Sequence, residues 1–367
     1  MARAGIDQQT DMEISAPPAK RCKFMATEVD DNLEIKAVLT TEYKKDITLI
    51  KVHSCQLETK QQLQSVVQEL SQKLPHFHHL KRVSDRNVLI CPTAEVEHTL
   101  EQHLQGHAFS DSVVKALCRD VKVIEVPADR AKLRMQYEKM KKYWPCKFHP
   151  DKYAESLQNG SNFTSKQRIF HKQMAQLLRS LTKNVNAGQP VGICVDPRQP
   201  SIVAIAGSND TCSSSHRHCS MLLVDYVARS QQGGATQHQV DFVQDDDASK
   251  TTLRGIPKAF HDYIRQDEAY KDVQCGAQMS VEYEQQQVEA TADNLAKYGP
   301  YLCTGYDVYL LREPCLMCAM ALVHSRVKRI FFLLPSDNGA LATRFQLHDV
   351  KELNHHYEVF QFITDGT

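Results

Sequence analysis

The chain has 367 residues, 42% of them hydrophobic, and its 44 Lys plus Arg balance 44 Asp plus Glu to a formal net charge of zero. That length suits two domains with buried cores, and no apolar run approaches the length of a membrane span. A neutral balance excludes nucleic-acid binding driven by overall charge, so such a role has to come from local patches.

Residues 1–28 read as a disordered polar tail without a signal-peptide hydrophobic region. The 12 cysteines are therefore expected to stay reduced or to bind metal in an intracellular protein. The one punctuated basic stretch of the tail, Pro17-Pro18-Ala19-Lys20-Arg21-Cys22-Lys23, is a solvated segment or a nuclear-localisation signal, and the expected location is nucleus and cytoplasm.

Residues 29–128 alternate between two periodicities. Strands are predicted at 47–52, 88–91 and 121–126, and helices at 59–74 and 94–104. Leu63, Val66, Val67, Leu70 and Leu74 carry the helical spacing of the first helix. The strand–helix–strand–helix–strand order predicts a small α+β domain of ferredoxin-like type, and its pattern holds no catalytic site.

Residues 129–163 form a basic, aromatic linker. Arg130, Lys132, Arg134, Lys139, Lys141, Lys142 and Lys147 are interleaved with Tyr137, Tyr143, Trp144 and Phe148. Cations neutralise phosphates and aromatics stack on exposed bases, so these seven cations together with Trp144 are the candidate RNA contacts. The competing reading is an amphipathic helix with a solvated basic face and its aromatics packed on the neighbouring domain.

The second domain spans 164–367. Thr164 with Gln167 predicts a capping box, and Phe170, Met174, Leu177, Leu178 and Leu181 form one buried helical stripe. Residues 192–195 and 201–206 predict a hairpin around Asp196-Pro197. After His218, the apolar positions Met221, Leu222, Val224 and Val227 predict a helix. Strands at 307–311 and 327–334 flank an apolar helix at 315–325. Cys315 lies 97 positions after His218. Residues 230–299 of that stretch read as a partly disordered insertion, acidic in places, with short helices around 258–270 and 281–298.

Two short motifs bracket that insertion: His218-Cys219-Ser220 and Pro314-Cys315-Leu316-Met317-Cys318. Zinc deaminases of bases and nucleosides carry H-x-E and, later, P-C-x-x-C, in which His and two Cys hold the metal and Glu moves protons. P-C-x-x-C at a helix start puts two sulfurs one turn apart, where the helix dipole favours thiolates. The metal set His218, Cys315 and Cys318 is complete, but Ser220 occupies the Glu slot. A hydroxyl has no pKa near neutrality and is not a general base. A frame on His216-Arg217-His218 instead puts a histidine in the acid/base slot.

The run from Tyr301-Leu302-Cys303-Thr304-Gly305-Tyr306-Asp307 through Arg312-Glu313 and the P-C-x-x-C to Ala319-Met320-Ala321-Leu322-Val323-His324-Ser325-Arg326 resembles one family. So do Gly339-Ala340-Leu341-Ala342-Thr343-Arg344-Phe345, the C-terminal stretch from Leu353 to Phe360, and His218 through Ala228. These segments are similar to the non-catalytic subunit of the eukaryotic heterodimeric tRNA adenosine deaminase, within the cytidine/deoxycytidylate deaminase superfamily. That resemblance implies a three-layer α/β/α deaminase domain, bound Zn2+, and a catalytic partner chain. It also implies conversion of adenosine to inosine at the first anticodon position of tRNA, with the N-terminal region helping to hold the tRNA. Family members usually carry Val in the Glu slot, so Ser220 departs from the habit while keeping the loss. The alternatives are an active nucleoside or RNA deaminase with a non-standard acid/base, and a stand-alone RNA-binding protein with structural zinc.

Overall fold

The computed structural model describes residues 33–207, 218–234, 240–245, 251–278 and 302–364. It is a mixed α/β architecture with one seven-stranded sheet, one smaller four-stranded sheet and a two-stranded ribbon that pairs Thr251–Thr252 with Ala277–Gln278. After a first strand, β1 (Leu33–Ala37), the smaller sheet is built from β2 (Leu49–Gln56), β3 (Val83–Ser84), β4 (Asn87–Pro92) and β5 (Val121–Pro127). Its order is β3-β4-β2-β5, with every neighbour antiparallel. Helices α1 (Lys60–Lys73), α2 (Leu100–Gly106) and α3 (Asp111–Cys118) cover one face, burying Val66, Leu70, Leu104 and Leu117 against Cys55 and Ile90. Thr59 caps α1 by accepting from the Gln62 amide, which satisfies one of the orphan donors of the first turn.

The segment expected to be a linker covers the opposite face. Trp144 packs with Phe77 and Leu80 on Val52, Leu89 and Val126, and its indole N–H donates to the Lys81 carbonyl at 2.6 Å. The helix α4 (Arg134–Met140) buries Gln136 and Met140, with Leu133 buried just before it. Residues 129–148 are therefore part of the N-terminal core and not a free linker. At 7% exposure, Trp144 has no face left for a base, and it leaves the set of RNA contacts. Tyr137 stacks on Phe148 at a centroid distance of 4.7 Å. Trp144 turns inward and the cations outward, as an amphipathic segment requires, while Tyr143 stays exposed at 47%.

A short helix, α5 (Lys152–Gln158), leads to α6 (Ser165–Asn184), which opens with the expected capping box: Thr164 accepts from the Gln167 amide, and Gln167 reaches back to the Thr164 amide. Then come β6 (Val191–Asp196), β7 (Ser201–Gly207), α7 (Cys219–Ser230), α8 (Lys258–Gln266) and β8 (Gln274–Cys275). The chain ends its described part with β9 (Asp307–Arg312), α9 (Leu316–His324), β10 (Arg329–Leu334) and β11 (Glu358–Thr364). These strands form a seven-stranded sheet in the order β1-β11-β10-β9-β6-β7-β8. β9, β10 and β11 run parallel, and β6 is antiparallel to both β9 and β7. Helices α7 and α9 pack on one face, α6 and α8 on the other. With both faces covered, β6 is buried along its whole length, as its nearly continuous apolar run requires.

Two boundaries differ from the sequence-based expectation. β1, placed by sequence in the 29–128 domain, is the edge strand of the large sheet, paired antiparallel with β11. The segment expected as a disordered insertion puts Ile256, Phe260, Ile264, Tyr270 and Val273 into the same core as α6. It belongs to the C-terminal fold, whereas the helix expected at 281–298 lies outside the described residues. None of the described helices is long and apolar enough to cross a membrane.

Candidate metal centre

α7 and α9 lie side by side on the sheet, and each begins at the same point. His218 is the N-cap residue of α7 and Cys315 that of α9, yet neither side chain caps its own helix. Both turn toward one spot. His218 Nδ1 lies 3.4 Å from Cys315 Sγ and 3.4 Å from Cys318 Sγ, and the three donor atoms sit within 4.8 Å of one another. A tetrahedral zinc, with sulfur at about 2.3 Å and nitrogen at about 2.1 Å, needs nitrogen–sulfur edges of about 3.5 Å. One imidazole and two thiols in that spacing fit zinc in geometry and in donor chemistry. Among the described residues this is the one cluster of three metal-binding side chains.

The sheet sets the position of α7 through Gly192 on β6. A Cβ built there would meet Cys219 Sγ at 2.9 Å and Leu310 at 3.0 Å, so only glycine lets the helix come this close. The start of α9 is held from the other side. Glu313, buried next to the motif, accepts from the amides of Leu341, Ala342 and Thr343 at 2.8, 2.6 and 3.1 Å and from the Thr343 hydroxyl. Burial raises its pKa, but these hydrogen bonds outweigh that and hold the carboxyl below the usual range. Gly339, which bridges to Cys315, touches the same carboxylate so closely that a Cβ would lie 2.1 Å from it. Glu313 was not singled out as a site residue from sequence. Its only signal was its place directly before Pro314 and Cys315.

Ser220 is buried in the first turn of α7, where the Met221 amide donates to the His218 carbonyl at 2.9 Å. Burial, reinforced by the neighbouring Cys315 thiol, pushes the Cys318 thiol up to about 12, and Ser220 and Met221 pull against the rise. The residue in the proton-carrying slot is a hydroxyl with no pKa near neutrality, and Glu313 is committed as an acceptor. The alternative frame, with His216 in that slot, lies outside the described residues.

The seven candidate cations Arg130, Lys132, Arg134, Lys139, Lys141, Lys142 and Lys147 are all exposed along and around α4. Lys132 pairs with Glu42 at 3.4 Å, Lys139 with Asp46 at 2.9 Å, and Lys141 with Glu138. Such solvent-exposed pairs are worth little and exchange readily for a phosphate.

No protein-family model matches the chain. It is 30% identical over 368 residues to the Danio rerio protein named "Probable inactive tRNA-specific adenosine deaminase-like protein 3", covering 94% of this chain and 96% of that one. It is 50% identical over 68 residues to the Saccharomyces cerevisiae "tRNA-specific adenosine deaminase subunit TAD3", covering 17% of this chain and 21% of that one. A solved chain from a study of A-to-I editing by tRNA:A34 deaminases at the wobble position aligns over 54% of this chain and 99% of its own, at 12% identity and a TM-score of 0.29.

Proposed function

We propose a function from one premise: the chain belongs to the tRNA-specific adenosine deaminase-like protein 3 family. It is the non-catalytic subunit of a tRNA-specific adenosine deaminase. The observation that carries this reading is Ser220, buried in the acid/base slot at the start of α7, beside an intact metal-binding set.

Zinc, held by His218, Cys315 and Cys318, clamps the starts of α7 and α9 together. The clamp keeps a deaminase-shaped face on a chain that lacks the proton carrier. The catalytic partner supplies that carboxylate and converts adenosine to inosine at the first anticodon position. Leu316 and Met317 at the start of α9 and Phe345 on the loop behind it are exposed, and they offer that partner an apolar face. The strand order of the smaller sheet and its split β-α-β connections support a ferredoxin-like N-terminal domain, which holds tRNA through the exposed cations around α4.

The test is inosine formation at the anticodon of a purified tRNA, with this chain alone, with the catalytic chain, and with both. Product from the mixture is the expected result. Product from this chain alone would overturn the reading. Ser220→Glu in the isolated chain is expected to yield no inosine, because a carboxylate added at that one position does not reshape the pocket for a base.

A further inference from the structure

A second concave site lies at the other end of the large sheet. Cys315 follows the C-terminal end of β9, whereas this cavity, of about 440 Å³, opens at the N-terminal ends of β9 and β10. A six-residue strand separates the two ends by about 20 Å. Arg198, Arg326, Lys328, His355 and His356 line the cavity against a single carboxylate, Glu358.

The walls are fixed by backbone bonds. The Lys328 amide donates to the Tyr306 carbonyl at 2.9 Å, and the Glu358 amide donates to the Lys328 carbonyl at 3.0 Å. His355 Nε2 lies 2.7 Å from the Val327 carbonyl. Arg198 is bound through two nitrogens to Asp196, so its charge is largely met there. The lining thus carries three cations, Arg198, Arg326 and Lys328, against Glu358.

The backbone of Arg326 carries a second sign. α9 ends in a Schellman motif: the Arg326 amide donates to Val323 and the Val327 amide to Leu322. The left-handed residue of that motif is ordinarily glycine, yet Arg326 stands there with φ +59°. A side chain is kept where none would be easier to accommodate, and that side chain lines the basic cavity. The cavity is tied at one point to the segment that follows α4. Glu358 at its edge accepts from the Tyr153 hydroxyl of α5, the helix that follows the basic α4 segment.

We propose that this cavity is a phosphate-binding site for the RNA backbone, extending the nucleic-acid surface of the α4 segment onto the C-terminal domain. It rests on the RNA-binding reading given above. Arg326 offers a planar fork and Lys328 a point charge, the two donor types that suit a phosphodiester.

The experiment is tRNA affinity of the assembled two-chain complex across a salt series, with Arg326→Gly and Lys328→Gln. Each removes one phosphate-directed cation, so each is expected to lower the salt slope by about one and weaken binding roughly five- to ten-fold at 0.1 M salt. Because glycine suits the left-handed position, Arg326→Gly is expected not to lower the melting temperature, which separates lost contact from lost fold. A control changes Arg130, Arg134, Lys142 and Lys147 together to Gln. Weakening by that control, with unchanged affinity and slope in the two cavity variants, would overturn the cavity proposal alone. No effect from any of the three would overturn both the proposal and the RNA reading of α4. Inorganic phosphate that shifts the imidazole resonances of His355 and His356, with tRNA affinity unchanged in the variants, would make this a free-anion pocket and overturn the RNA assignment.

Discussion

The two domains use the same plan, a sheet covered by helices, but place their polar residues differently. The C-terminal domain buries them in fixed pairs. Asp307 is fully buried and held by two nitrogens of Arg329 at 2.7 and 2.6 Å, and the guanidinium lies over the rings of Phe163 and Phe331. His171, also buried, sits 2.6 Å from the Tyr309 hydroxyl. The N-terminal domain, apart from Arg82 sunk against the Leu70 and Ile90 carbonyls, leaves its charges outside, in exposed pairs such as Lys45 with Asp129 and Lys139 with Asp46. One domain holds a geometry; the other presents a field. Substitutions are expected to change stability in the first and affinity in the second.

The largest effect that can break this contrast is at the candidate metal centre. Cys315→Ser is expected to abolish stoichiometric zinc, lower the melting temperature of the C-terminal domain most of all, and weaken association with the partner chain. An unchanged zinc-to-protein ratio by atomic absorption would refute the ligand assignment. Next comes the buried pair: Asp307→Ala leaves Arg329 uncompensated and is expected to cost about 3–5 kcal/mol in urea unfolding. A loss below about 1 kcal/mol, the range of an exposed pair, would erase the distinction between the two domains.

Acid separates the domains more finely. Burial, helped by nearby Arg329, pulls the His171 pKa down to about 3. Its unfolded counterpart takes up a proton near 6.5, so the stability it contributes is complete above that pH and is lost as pH falls from about 6.5 toward 3. In the N-terminal domain, hydrogen bonds from Lys73 and Ser110 hold Glu69 down at about 2, so its contribution is lost only from about pH 4.5 toward 2. Trp144 is the single tryptophan and reports the N-terminal core. Burial also lowers the pKa of His53 and His103 in that domain, so its urea midpoint is expected to shift between pH 6.5 and 5 as well, but by less than the far-UV signal of the large sheet. His171→Phe is expected to flatten the shift of the large sheet. The smallest effect is at the surface: Arg130→Gln and Lys147→Gln are expected to move stability by less than about 0.5 kcal/mol while lowering the tRNA salt slope by about one each.

What was legible in the sequence follows the range of the interactions. The metal set could be read because each motif carries its ligands within one helical turn, and the capping box of α6 because Thr164 and Gln167 are three residues apart. β1 was misassigned because its partner, β11, lies at the far end of the described chain. Leu33, Ile35 and Ala37 alternate with polar residues but do not say which sheet they join. Interleaved cations and aromatics around α4 gave composition without direction, and only packing shows Trp144 facing in and Lys142 facing out. The short helix expected around 258–270 is present as α8, but the polar flanks hid that Ile256, Phe260 and Ile264 enter the core. Glu313 could not be weighed, because a carboxylate reads as exposed until its acceptors are known.

The antiparallel pairing of β1 with β11 also bears on how the protein is made. On a ribosome, residues 49–127 hold all four strands of the smaller sheet and can pair as soon as they emerge. β1 emerges before any of them yet has no partner until nearly everything else has been synthesised. Contacts that distant in sequence form slowly, and an unpaired apolar strand is exposed to aggregation while it waits. The nascent chain therefore carries an open strand across a finished domain for most of its synthesis, a stretch in which a chaperone has something specific to hold.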